Sequence, residues 1–209
     1  MTTRLPRQLE ELGQPLFKEL AYLVARHPPR MTDTRTNSGT GRTQAYGIIN
    51  RVKGGRGVGL GMNCEHYPKI WEEGLKLAET IVPEDIKWTT FMLNMNYEAK
   101  THVDKNNIGE SLVVAFGDYT GGELVAIDEN DVETEYNIRY RPVIMDASKI
   151  RHYVKPITSG TRYSIIFFRT KMTKKFYDRY GEDLSLFDMI DLLPLKEEGQ
   201  KNSDIRIPV

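Results

Sequence analysis

The chain has 209 residues, enough for one domain with a sizeable core. Its 29 Lys+Arg balance 29 Asp+Glu, so no global positive field advertises a polyanion partner, and any such site has to be a local patch. A single cysteine, Cys64, excludes an internal disulfide framework and argues against a Cys-based zinc site; with no apolar leader and no apolar run near the ~20 residues of a membrane span, the expectation is an intracellular protein that is not secreted and does not cross a membrane.

Residues 6–27 carry Leu9, Leu12, Leu16, Leu20 and Leu23 at three- and four-residue spacing, the stripe of an amphipathic helix. Pro15 breaks or kinks it, and Pro28-Pro29 ends it. Residues 31–44 are rich in Thr, Gly, Ser and Arg without apolar period, and read as a loop. A short apolar run, 46–49, leads into RVKGGRGVGLG, with a hairpin turn at Gly54-Gly55. This basic, glycine-rich stretch (residues 30–60) holds Arg30, Arg35, Arg42, Arg51, Lys53 and Arg56 against Asp33 alone. It is either a solvated loop or a surface that contacts phosphates. Residues 68–82 form a second amphipathic helix, opened by Pro68 and closed by Pro83. From residue 88 the period becomes two, with strands expected at 88–97, 111–116, 123–127, 134–138, 142–145 and 163–170, separated by turn signals. KKFYDRYG then reads as helix. Helices followed by short strands imply an α+β protein built on a β-sandwich or jelly roll. The expected organisation is a single domain: a helical N-terminal part (1–87), a strand core (88–170) and a C-terminal extension (171–209).

The chemistry concentrates in THVDKNN. His102 and Asp104, two residues apart, project from one face of an extended segment. His152 follows fifty residues later. An H-x-D pair with a distant histidine is the ligand set of the facial triad, which leaves open positions on Fe(II) for a bidentate co-substrate and O2. Ten residues past His152, Arg162 emerges on a strand, where its charge requires a partner. A buried guanidinium suits a planar carboxylate such as the distal one of 2-oxoglutarate. Ser164 faces the same way, while Tyr163, Ile165 and Phe167 face the other. Upstream, Asn94 and Asn96 share one face of an apolar strand, and either binds the co-substrate or a substrate edge, or bridges strands. Cys64 and His66 lack further ligands nearby and do not make a second metal site.

The stretches NMNYEAKTHVDKNNIGESLVVAFGDYTGGELVAID and DASKIRHYVKPITSGTRYSIIFF together resemble the TET/JBP superfamily of Fe(II)- and 2-oxoglutarate-dependent dioxygenases, above all its compact phage, algal and protist members, which oxidise the methyl group of 5-methylpyrimidines in nucleic acid. The resemblance runs over residues 90–170 and includes Asn106, Asn107, Ser111 and His152. It implies a double-stranded β-helix (a cupin-like jelly roll) with helices packed on one side, and Fe(II) on His102, Asp104 and His152. It further implies 2-oxoglutarate on Arg162, O2 as second co-substrate, and a DNA substrate such as 5-methylcytosine. GDYTGGEL would be strand–turn–strand, with Gly121 and Gly122 in a structural role. A base in a duplex would have to be flipped to reach the metal. Arg42, Arg51, Lys53, Arg56, Asn106 and Asn107 are the candidates for substrate contact, and Tyr46, Tyr97 and Tyr119 for stacking. The competing readings are a protein side-chain (prolyl-type) or small-molecule hydroxylase, and a jelly-roll binding module without catalysis.

Overall fold

The alternating segments fold as strands of two facing layers in the computed structural model, which describes residues 5–31, 39–50, 58–172 and 174–192. In chain order these are β1 (Arg7–Gln8), a 3-10 turn (Gln14–Phe17), α1 (Lys18–Arg26), β2 (Gly39–Asn50), β3 (Val58–Leu60), α2 (Met62–His66), α3 (Pro68–Ile81), β4 (Thr90–Ala99), β5 (Asn107–Phe116), β6 (Tyr119–Gly121), β7 (Leu124–Ile127), β8 (Glu133–Tyr136), β9 (Val143–Met145), β10 (Arg151–Val154), β11 (Ile157–Gly160), β12 (Tyr163–Thr170), α4 (Lys174–Tyr180) and α5 (Leu186–Leu192). The large sheet is antiparallel, in the order β1-β9-β5-β12-β4-β2-β3. Facing it are the antiparallel sheet β10-β7-β8 and the pair β11-β6. The result is the expected double-stranded β-helix.

Period-two patterning sorts the large sheet into two faces. Phe91, Leu93, Leu112, Val114, Phe116, Tyr163, Ile165 and Phe167 point to one side and pack with Leu20, Val24, Ile70 and Leu77 of α1 and α3. Val113, Ala115, Val143 and Met145 point to the other, where Leu124 and Ala126 of the small sheet meet them. The helices thus cover one face, and the site lies between the sheets on the opposite face.

Several expectations from local pattern change in the fold. Residues 6–13 are not helical. Leu9 and Leu12 donate their backbone N–H groups to Pro142 O and Tyr140 O, and helix begins only at the turn holding Pro15. The leucine spacing is real, but tertiary pairing wins over helical period. Much of the stretch read as loop is β2, a twelve-residue strand paired with β4. Gly39, Gly41 and Gly47 hid it from propensity, because their positive φ values and the close approach of β4 backbone leave no room for a side chain. β2 and β3 pair antiparallel, and the turn expected at Gly54-Gly55 lies outside the described residues. β10 (RHYV) and β11 (ITSG) lack the apolar alternation that marks a strand in the sequence. In GDYTGGEL the strands flank the Gly121-Gly122 turn, at φ 76° and 72°, but do not pair with each other: β6 joins β11 and β7 joins β10 and β8.

Candidate metal centre and cofactor cavity

The two histidines are brought together by backbone. His102 N–H donates to His152 O and His152 N–H to His102 O, each at 3.0 Å, so the segment after β4 adds a bridge to β10. The ring centroids lie 4.4 Å apart. Two residues on from His102, Asp104 is anchored by its own N–H on Ala147 O at 2.8 Å. Nδ1 of His102 sits 2.6 Å from Lys100 O, and Nδ1 of His152 sits 2.9 Å from Ile150 O. Each carbonyl accepts a hydrogen bond from Nδ1–H, which fixes the tautomer and leaves Nε2 as a lone-pair donor.

His102 Nε2 is 3.3 Å from Asp104 Oδ1, and His152 Nε2 is 4.0 Å from Oδ2. All three residues offer a ligand atom within 4.8 Å of the others. An octahedral ion with bonds near 2.1 Å puts adjacent ligands about 3 Å apart, so this set needs only a small contraction to hold a hard or borderline divalent cation. Burial, aided by the neighbouring His102, pushes His152 below the usual histidine range, which keeps it neutral as a ligand must be. The bond to Asp104 raises His102 instead, a proton that a cation would displace. Asn107 Nδ2 donates to Asp104 Oδ2 at 3.3 Å, so this asparagine orients the carboxylate.

The triad opens on a cavity of about 510 Å³ between the sheets. Arg162 lines the same cavity at only 2 % exposure. Its backbone is clamped to β4: Arg162 N–H donates to Asn96 Oδ1 and Asn96 N–H to Arg162 O, both at 2.8 Å. Asn96 adopts φ 48°, a left-handed value that asparagine tolerates, and sits in a bulge of β4 against β2. The extra residue shifts parity, so Met92 and Asn94 face the cavity before it and Tyr97 and Ala99 after it. Asn96 itself is exposed and does not line the cavity, which gives it a place behind Arg162 rather than beside a co-substrate.

The guanidinium has an incomplete set of partners. Its Nη1 donates to Ser164 Oγ at 3.3 Å, the Tyr119 ring centroid lies 5.8 Å from its central carbon, and its buried Nε has no hydrogen-bond partner. Among the described residues no carboxylate forms an ion pair with it. Burial lowers its pKa, partly opposed by Tyr119 and Glu123. Ser164 Oγ also accepts from Asn94 Nδ2 at 3.3 Å, which leaves the hydroxyl proton to donate. Arg162, Ser164 and Asn94 therefore form a donor cluster suited to an anion.

Two residues take a role at Arg162 beyond the one the sequence suggests. A side chain at Gly122 would stand 2.7 Å from Arg162 Cδ and 3.0 Å from Nε, so this glycine makes room for the arginine as well as turning the chain. Tyr119 supports the guanidinium and is itself held by Arg139, which stacks on its ring at 4.4 Å and donates to its carbonyl. The sequence places Gly122 in a turn and offers Tyr119 as a base-stacking candidate, and the structure sets Tyr119 beside Arg162 instead.

The substrate candidates divide. Asn106, Asn107 and Lys105 line the cavity. Arg42 does not; its Nη1 donates to Pro29 O. Arg51, Lys53 and Arg56 lie outside the described residues. Tyr46 belongs to the helix-side core, stacked on Phe91, so it is no base-stacking residue, whereas Tyr97 lines the cavity.

No protein-family model matches the chain, and no curated relative does. Solved structures do. An oxidoreductase of the 2OG-Fe(II) oxygenase family from Burkholderia pseudomallei aligns with TM-score 0.58 at 16% identity, over 81% of this chain and 88% of that one. NgTET1 in complex with 5mC DNA aligns with TM-score 0.53 at 15% identity, over 83% and 78%. A prolyl hydroxylase from Trichoplax adhaerens, in complex with a hypoxia inducible factor peptide fragment, aligns with TM-score 0.52 at 11% identity, over 79% and 83%. The fold is that of the 2-oxoglutarate/Fe(II) oxygenases. At these identities the likeness is one of fold, and it does not separate DNA from peptide substrates.

Proposed function

We propose that this protein is an Fe(II)- and 2-oxoglutarate-dependent dioxygenase that oxidises the methyl group of a 5-methylpyrimidine, 5-methylcytosine first, in DNA. The observation that carries the reading is the buried Arg162 guanidinium, without an ion-paired acid among the described residues, in the same cavity as His102, Asp104 and His152. A charge in that position is costly unless a ligand supplies the anion. A ligand that meets both ends of the cavity needs a carboxylate for Arg162 and Ser164 and a second donor group for the metal centre. A 2-oxo diacid has both.

Bound at the triad, Fe(II) with 2-oxoglutarate and O2 supplies an oxidant strong enough for an unactivated C–H bond. The chain's own groups do the positioning. Arg162, Ser164 and Asn94 fix the distal carboxylate, and Asn96, Gly122 and Tyr119 fix Arg162. Asn107 orients Asp104. The apolar wall of Met92, Val113, Leu124 and Ile166 excludes water from the reacting centre. The DNA substrate rests on the motif resemblance and on the polar mouth of Lys105, Asn106 and Asn107, where a flipped base would enter.

The test is incubation of the protein with Fe(II), ascorbate, 2-oxoglutarate and oligonucleotides carrying 5-methylcytosine, followed by digestion to nucleosides and mass spectrometry. The expected products are succinate and 5-hydroxymethylcytosine in step. Succinate without a hydroxymethyl base on single- or double-stranded DNA would refute the substrate, and no succinate at all would refute the oxygenase.

A further inference from the structure

Ser111 stands on β5 at 2 % exposure, lines the cavity, and among the described residues its Oγ has no hydrogen-bond partner. A buried hydroxyl left unpaired costs on the order of 1–3 kcal/mol, and a ligand's polar group removes that cost. The strand register decides which ligand. Ser164, at the level of the Arg162 cluster, pairs with Ala115, and Ser111 lies four positions before Ala115 on the same face of β5. At about 3.4 Å per residue the two levels are ~13 Å apart along the strand. A co-substrate held at one end by Arg162 and Ser164 has its other donor group taken up by the metal centre, so the Ser111 hydroxyl is left to a second ligand of the cavity. The Ser111 end of the cavity is next to the metal centre: Ser111 pairs with Met145, Ala147 follows two residues on, and Ala147 O holds Asp104 N–H at 2.8 Å.

We propose that the Ser111 hydroxyl is a substrate-binding, specificity-determining group, and that it hydrogen-bonds the polar edge of the pyrimidine ring being oxidised; this rests on the proposed 5-methylpyrimidine substrate. Val113, Met145, Ala147 and Phe168 give that part of the cavity apolar walls for the ring. The single hydroxyl among them gives one hydrogen bond and accepts others, which matches the adjacent amino group and ring nitrogen of cytosine.

The experiment compares the full-length wild type with Ser111→Ala, both loaded with Mn(II) and 2-oxoglutarate without O2. Each is titrated with single-stranded oligonucleotides that carry one 5-methylcytosine or one abasic site at the same position. Removal of one neutral hydrogen bond should weaken the methylcytosine oligonucleotide about five- to tenfold. Binding of the abasic oligonucleotide and of 2-oxoglutarate should not change, and the thermal midpoint of the ligand-free protein should not fall, since an unpaired hydroxyl supports nothing. If wild type binds methylcytosine DNA and Ser111→Ala binds it equally, or loses the abasic control in parallel, the Ser111 assignment is overturned while the substrate stands. Loss of 2-oxoglutarate affinity, or a lowered midpoint, overturns it too, as a co-substrate or structural role. If wild type binds neither oligonucleotide, the nucleic-acid substrate itself is wrong and the base-edge assignment falls with it.

Discussion

Arg162 shows how one side chain reports on what the cavity takes. Natural cores rarely keep a guanidinium at 2 % exposure with an idle Nε. Here its backbone is locked by Asn96 and its side chain is given room by Gly122, so the charge has been built in rather than tolerated. Replacement of Arg162 by Met separates binding from stability. A methionine fills similar apolar volume and removes an unpaired buried charge, so the denaturation midpoint should hold or rise. The affinity for 2-oxoglutarate, read by calorimetry on the Mn(II)-loaded protein, should fall at least a hundredfold, because two charge-assisted bonds of about 1.5–3 kcal/mol each are lost. A variant that still binds 2-oxoglutarate like wild type would dissociate Arg162 from the co-substrate.

Between elements, the tightest constraint is α3 against the large sheet. Gly74 sits mid-helix, where alanine is the better helix former by ~1 kcal/mol. A side chain there would collide with the ring of Phe91, which is itself wedged between Tyr46, Trp71 and Phe167. Packing therefore outweighs propensity, and Gly74→Ala should destabilise by about 1–3 kcal/mol through overpacking rather than stabilise. Urea denaturation decides the sign. The β4 bulge illustrates the same precedence. Gly41 is placed where a side chain would strike the Asn96 carbonyl and the Tyr97 backbone, so two strands with unpromising residues pair closely and re-aim Tyr97 into the cavity.

On the scale of the whole molecule, the helices hold one face of the large sheet dry so that its other face can form the site. The C-terminal elements belong to this cover. Phe176, Leu186 and Met189 are buried in the helix-side core, and Leu186 N–H donates to Trp88 O. Trp88 in turn packs edge-on against Phe167, the β12 residue whose neighbours face the cavity. A chain stopped after Met172 would lose three buried apolar side chains worth about 1.5–3 kcal/mol each. Its unfolding free energy from urea denaturation should be lower by several kcal/mol, and metal binding should weaken only in proportion to the unfolded fraction. Full stability in the truncated chain would remove α4 and α5 from the core.

Much of this protein was legible in sequence order alone. Period-two patterning marked six strands, the alternation along β12 separated Ser164 from Tyr163, Ile165 and Phe167, and the H-x-D spacing marked two candidate ligands, because an extended segment fixes which neighbours share a face. Local chemistry of that kind travels no further than a few residues. That His152 meets His102, that Ser111 and Ser164 lie at different levels of one cavity, that Gly122 borders Arg162, and that Asn96 stands behind the arginine instead of in the pocket are consequences of strand register and of one bulge. Those depend on pairing between segments ten to a hundred residues apart, and only the closed double sheet decides them.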